Sequence, residues 1–263
     1  MFNFSNDNII YQDNGDVQYI QFKRLLKYGI KHAYTLKGEN LDFSRNSEFE
    51  KSSYARMAKA LEIEEKTFVK PIQTHTSMVK CINEIKESEE LQDVDGLITD
   101  KKNIALTTKN ADCILFLFYD SVKKVIANVH SGWKGTFQKI AEKTVVKMIN
   151  FYGCKPSDII CCICPSIRKC HFEVDEDVKD LCSEIFGFTN RLEEIIEVGE
   201  IKNGKTKYMI DTVLINQILL EELGLKKANI VDCGICSVCN QDKIHSARAE
   251  GENFKRATAI ITL

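Results

Sequence analysis

His75 in PIQTHTSMV, Cys113 in NADCILFLF and His130 in ANVHSGWKGT are three residues of metal-binding type, each at the edge of an expected strand or turn. Two imidazoles and one thiolate make a three-ligand set that leaves a coordination position for water or substrate, as catalytic zinc requires. Taken singly, a histidine in a strand-rich chain is more often a hydrogen-bonded side chain, and a cysteine in an apolar strand more often a core residue. Their contexts shift that balance. His75 is followed by polar Thr76 and Ser77, and His130 ends an apolar run and enters a turn with Gly132 and Gly135, so strand ends can hold the donors rigid and convergent. Asp112, beside Cys113, either accepts a hydrogen bond from a ligand imidazole and fixes its tautomer or caps the strand.

The turn HSGWKGT suggests a second chemistry. Gly132 and Gly135 permit backbone conformations closed to other residues, the helix expected after them offers free N–H groups, and Lys134 adds a charge, so an oxyanion such as phosphate is suited there. The spacing is not that of a Walker loop. Trp133, the one tryptophan, either wedges the turn into the core or stacks on a planar ligand.

The elements that position these residues belong to a chain of 263 residues, of which 44% are hydrophobic, enough to bury a core without disulfides. Charged residues make up 28% and nearly cancel to a formal net charge of -2, which argues against nucleic acid or an anionic membrane and for a small-molecule partner. Eleven cysteines are an odd number, and MFNFSNDNIIYQDNGD lacks the basic-then-apolar pattern of a secretory leader, so a cytoplasmic protein with free thiols is expected. The longest apolar runs, such as 113–119, fall far short of the roughly 20 residues of a membrane span. With three prolines and no linker-like tract or repeat, residues 1–263 read as a single domain.

Strands are expected at 17–22, 29–36 and, more densely, through TFVKPIQ, SMVKCI, NIALTT, CILFLFY and KVIANV. The continuously apolar 113–119 should be buried on both faces. Helices are expected over 52–63, with Tyr54, Met57, Ala58 and Leu61 on its core face, and over 136–152, where Phe137, Ile140, Ala141, Thr144, Val145 and Met148 form a stripe that Gly153 terminates. A strand at 158–164, helices at 175–186 and 211–223, and strands NIVDC and ATAIIT complete a mixed order of strands and helices.

The segments QTHTSMV, DGLITD, ADC, HSGWKGT, CPSIRKCHFEV and CSVCNQDKIHSARAEGENFKR, in that order from about Asp42 onward, resemble the YfiH-type laccase-domain family, also described as purine nucleoside phosphorylases with adenosine deaminase activity. The resemblance implies one zinc per chain on His75, Cys113 and His130, and an α+β fold of mixed β-sheets packed as a sandwich flanked by helices. It also implies phosphorolysis of adenosine, inosine and methylthioadenosine, deamination of adenosine, and purine nucleosides and phosphate as partners of a monomer or small homo-oligomer. An older assignment in this family is a copper-dependent polyphenol oxidase. Lys134 stands where the family more often has arginine, exchanging a two-pronged grip for a point charge. Arg248 and Arg256 match the family's terminal arginines, His245 replaces a common aromatic residue, and Glu173 matches an acidic position suited to proton transfer.

Three alternatives stay open. Two histidines and a cysteine, with Met78 as an axial ligand, also describe a blue-copper site, but His32, His171 and His245 are too few for a laccase's oxygen-reducing cluster. Cys113 with His130 as base would make a metal-free thiol hydrolase. A metal-bound module without turnover would use the same ligands. Cys161, Cys162 and Cys164, and separately Cys233, Cys236 and Cys239, are either small core fillers or ligands of structural zinc or an iron–sulfur centre.

Overall fold

Successive side chains of residues 114–120 enter two different cores. Leu115, Leu117 and Tyr119 pack with residues of a facing sheet, while Ile114, Phe116 and Phe118 pack against helices. A strand apolar at every position is therefore one with a layer on each side, as the alternation of side chains across a pleat demands.

The structure, a computed structural model, describes residues 4–263, so the first three residues of the expected 1–263 domain lie outside the described residues. The strands, in chain order, are β1 (Ile9–Asp13), β2 (Gln18–Phe22), β3 (Lys31–Thr35), β4 (Phe68–Val69), β5 (Val79–Cys81), β6 (Gly96–Thr99), β7 (Ala105–Asn110) and β8 (Ile114–Asp120), followed by β9 (Val125–Ser131), β10 (Ile159–Ile163), β11 (Glu173–Val174), β12 (Ile196–Lys202), β13 (Lys205–Ile210), β14 (Ile230–Asp232) and β15 (Ala257–Thr262). The helices are α1 (Lys23–Leu26), α2 (Glu50–Leu61), α3 (Trp133–Phe137), α4 (Ile140–Tyr152), α5 (Glu176–Phe186), α6 (Leu192–Ile195), α7 (Thr212–Glu222) and α8 (Ala247–Glu250).

Two six-stranded mixed sheets, β1-β2-β3-β15-β7-β4 and β14-β10-β8-β9-β6-β5, face each other, and a three-stranded sheet β11-β13-β12 stands beside them. The core between the large sheets joins Ile20, Tyr34, Leu106 and Ile261 to Leu97, Leu117 and Ile126. Helix α2 covers the outer face of the first sheet with Tyr54, Met57, Ala58 and Leu61. Helices α4 and α7 cover the second, through Ile140, Val145, Met148, Val213 and Leu220. Helix, sheet, sheet and helix thus make the expected sandwich of mixed sheets flanked by helices. Among the described residues no helix is long and apolar enough to cross a membrane.

The helix expected over 136–152 is two helices. α3 starts earlier, at Trp133, and Lys139 turns into the left-handed region (φ 59) before α4 begins at Ile140. Gly153 ends α4 at φ 66, as a left-handed terminating glycine should. Cys162, Cys164 and Cys233 belong to the core between the sheets and Cys161 to the core under α4, so these four thiols are apolar fillers and not ligands.

Candidate metal centre and its cavity

Antiparallel pairing of β8 and β9 sets Leu115 opposite His130 and Ile114 opposite Ser131, which brings Cys113, just before β8, to the end of β9. His75 comes from the loop between β4 and β5. The nitrogens of His75 and His130 and the sulfur of Cys113 lie within 4.8 Å of one another. Cys113 Sγ is 3.7 Å from His75 Nε2, and the two imidazole rings meet edge to face at 5.0 Å. Tetrahedral zinc with bond lengths of about 2.0–2.3 Å sets its N and S ligands roughly 3.5 Å apart, so this donor set fits one such ion.

The electrostatics fit as well. Burial alone pushes the Cys113 thiol up, but the neighbouring His130 and His75 outweigh it and bring the group down to about 6. Burial pushes His130 down, and Cys113 and Asp95 together raise it to about 9. The pair stores a thiolate ready for a cation.

Asp95 is the hub of the site. β6 pairs with β9 so that Gly96 lies opposite Val129, which places Asp95 beside His130. Its Oδ1 accepts from His130 Nδ1 at 2.7 Å, leaving Nε2 for a metal. The same carboxylate accepts the backbone N–H groups of Thr74, His75 and Thr76 and the Thr76 hydroxyl. His75 sits at φ 63, a conformation disfavoured for non-glycine residues, and those bonds hold it there. Burial pushes the Asp95 carboxyl up, but His130 and Thr76 hold it below the usual carboxylate range.

Asp112, read from sequence as either the partner of a ligand imidazole or a strand cap, bonds elsewhere. It too has positive φ (82), and its oxygens accept from the Ser237 hydroxyl and, at 2.7 Å, the Arg248 backbone N–H. The carboxylate on the ligand imidazole is Asp95, whose signal was an aspartate immediately before a short apolar strand in DGLITD.

The three ligands open into a cavity of about 640 Å³. Arg45, Lys109, Arg248 and Arg256 line it together with a single carboxylate, Asp112, and Trp133, Phe172 and Phe254 supply aromatic surface. Burial pushes Lys109 down, against its pairing with Glu50 at 3.4 Å. Arg248 is pinned by donating to the carbonyls of His171 and Glu173.

Residues 31–263 match the family model described as "Multi-copper polyphenol oxidoreductase laccase". The chain belongs to this laccase family. It is 30% identical over 171 residues to the purine nucleoside phosphorylase YlmD of Bacillus subtilis (strain 168), covering 65% of this chain and 59% of that one. It is likewise 30% identical over 243 residues to the purine nucleoside phosphorylase LACC1 of Homo sapiens, covering 89% of this chain and 53% of that one. The chain therefore spans little more than half the length of these two relatives. Its fold superposes on the crystal structure of Bacillus licheniformis hypothetical protein YfiH with a TM-score of 0.86 at 22% identity, covering 96% of this chain and 98% of that one.

Several sequence expectations need correction within this laccase-family framework. Lys134, Gly132 and Gly135 do not line the cavity; Lys134 is exposed, with Nζ 5.6 Å from the Trp133 ring centroid. Gly132 has an ordinary extended backbone (φ -68), and Gly135 lies inside α3, so neither is there for an unusual turn. Gly132 is required for space: a Cβ there would stand 2.6 Å from His75 Cδ2 and 3.2 Å from Cys113 Sγ. Glu173 lies outside the cavity lining, its carboxylate paired with Lys202 at 2.6 Å. Met78 is exposed and away from the lining, so it offers no axial sulfur. Trp133 packs edge-on against Phe137 and also lines the cavity. Of the cavity's three arginines, Arg248 is expected from sequence as a phosphate candidate and Arg256 only as a match to a family position, and Arg45 is not expected.

Proposed function

We propose that this chain is a zinc-dependent purine nucleoside phosphorylase that acts on adenosine, inosine and methylthioadenosine and also deaminates adenosine. The observation that carries the reading is a three-donor cluster with no fourth protein donor among the described residues, opening into a cavity whose walls hold four cationic side chains and three aromatic ones. The names of the two relatives support the purine nucleoside phosphorylase part of this reading.

Phosphorolysis needs a phosphate held beneath the ribose carbon and a purine held flat while its bond to that carbon breaks. Arg248 makes five N–H donors available and gives two to backbone carbonyls, leaving a fixed cation for an oxyanion; Arg45 and Arg256 add charge nearby. Trp133, Phe172 and Phe254 suit a planar base. Zinc on His75, Cys113 and His130 would supply Lewis acidity at the cavity floor. For deamination, Asp112 is the carboxylate within the described lining, in place of the sequence candidate Glu173, although both its oxygens already accept hydrogen bonds. The reading includes a cytoplasmic enzyme that works as a monomer or small homo-oligomer on small molecules, with neither nucleic acid nor membrane as partner.

Incubating zinc-loaded protein with adenosine, with and without phosphate, and resolving adenine from inosine tests it. Adenine that appears only with phosphate supports phosphorolysis, and inosine in either case supports deamination. Neither product from any of the three nucleosides overturns the proposal.

The lowered Cys113 thiol beside the raised His130 favours one second reading, a metal-free thiolate nucleophile. Chelators separate the two, since only the zinc enzyme loses activity to them. For copper oxidase chemistry, the remaining imidazoles are scattered: His32 and His245 are buried away from the cavity, and His171 belongs to another cluster.

A further inference from the structure

The parallel pairing of β10 with β14 sets Ile163 opposite Asp232, and the two chains continue side by side to a bridge between Ser166 and Cys236. Arg168 ties the departing loops together, its guanidinium forked on Asp232 with two contacts of 2.7 Å and its Nε donating to the Ile235 carbonyl. Beyond that clamp, four donors meet: Cys170 and His171 from one loop, Cys236 and Cys239 from the other.

Their spacing is that of a coordination polyhedron. His171 Nδ1 lies 3.2, 3.7 and 3.5 Å from the sulfurs of Cys170, Cys236 and Cys239, and the sulfurs of Cys170 and Cys239 are 3.9 Å apart. Around tetrahedral zinc, bonds of about 2.3 Å to sulfur and about 2.0 Å to nitrogen imply edges of roughly 3.5–3.8 Å. All four donor atoms fall within 4.8 Å of one another, too close for ligands that divide between two irons of a cluster.

We propose that Cys170, His171, Cys236 and Cys239 bind a second zinc ion, distinct from the ion of the cavity and structural in role. Four protein donors close the coordination shell, whereas the His75, Cys113 and His130 set leaves it open. The site has a purpose in the fold. The His171 carbonyl accepts from Arg248, and Ile167 and Phe172, on either side of the ligand loop, line the cavity, so the ion staples the wall that carries the fixed cation. The proposal is independent of the reaction catalysed.

The test counts metal in the full chain, expressed with zinc and purified under reducing conditions without chelator. Two zinc ions per chain are expected in the wild type, and one each in Cys113→Ala and in the Cys170→Ser, Cys239→Ser double variant. Cobalt loaded into Cys113→Ala should give tetrahedral visible bands and a sulfur-to-cobalt band about three times as intense as a one-thiolate site gives. This measurement stands even where the double variant fails to fold. One zinc in the wild type with none in Cys113→Ala overturns the proposal, as does a Cys170–Cys239 disulfide without a second metal in non-reducing mass spectrometry.

Discussion

Asp95 Oδ1 lies 2.7 Å from His130 Nδ1, and the same carboxyl group receives the backbone N–H of His75, so one buried side chain orients both histidines of the candidate metal centre. Asp95→Asn preserves shape while removing the charge that fixes the imidazole. Zinc affinity is expected to fall about 10- to 100-fold, with activity recovering in excess zinc. Isothermal titration of the metal-free variant with zinc checks this; an unchanged affinity would remove Asp95 from the site.

Gly132→Ala introduces a methyl group where His75 Cδ2 stands 2.6 Å away. His75 must move, and a displacement of about 1 Å in such a site is expected to lower kcat/KM on the order of 100-fold. Circular dichroism and thermal unfolding should change little, because the backbone at Gly132 is ordinary. A fully active variant would mean that His75 is not needed where it stands.

Cys113→Ala should lose the cavity zinc and the nucleoside activity together, read by metal content and by adenine release. Turnover at the wild-type rate by the metal-free variant would falsify the zinc reading.

On the proposed reading the phosphate grip falls on Arg248, which lines the cavity, and not on Lys134, which does not. Loss of a charge-assisted hydrogen bond of roughly 1.5–3 kcal/mol predicts that Arg248→Ala raises the KM for phosphate about 10- to 100-fold, and Lys134→Ala less than about twofold. Initial rates against phosphate at saturating nucleoside decide between them, and the reverse order would restore the glycine-turn site expected from sequence.

His32 supplies a pH test away from the metal. It is fully buried, with Nε2 accepting from the Phe22 N–H at 2.7 Å and Nδ1 donating to the Ile30 carbonyl, and burial pushes it down from 6.5 to about 4. Between these values the unfolded chain binds a proton that the folded one refuses, so stability is whole above pH 6.5, declines as pH falls towards 4, and levels below it. The loss is on the order of 3 kcal/mol. Urea unfolding at several pH values should show this slope in the wild type and a flatter one in His32→Gln; equal slopes would contradict it.

What was legible in the sequence divides along physical lines. β8 and the core faces of α2 and α4 could be read because burial imposes a periodicity. The three candidate ligands could be read because Cys113 and His130 border apolar runs at the ends of β8 and β9, while His75 stands in a polar loop segment. The hairpin of β12 and β13 was missed because all but one of its residues are exposed or half-buried and leave no core-facing run, although Asn203 and Gly204, both at positive φ, carry a hairpin-turn signal. Lys134 and Glu173 were misplaced because proximity to a motif along the chain does not say which way a side chain points. Asp95 and the partnership of Cys170 with Cys239 depend on strand register, which joins residues far apart in sequence.

Of the three donors at the cavity, His130 is buried and Cys113 half-buried at fixed strand ends, while His75 is exposed on a loop that Asp95 fastens. Exchange of the ion should therefore proceed by an asymmetric route. The first bond to break is the one to the outermost arm, the last are those to the sheet, and the speed of release is set by how often a single buried carboxylate lets go of four neighbouring hydrogens.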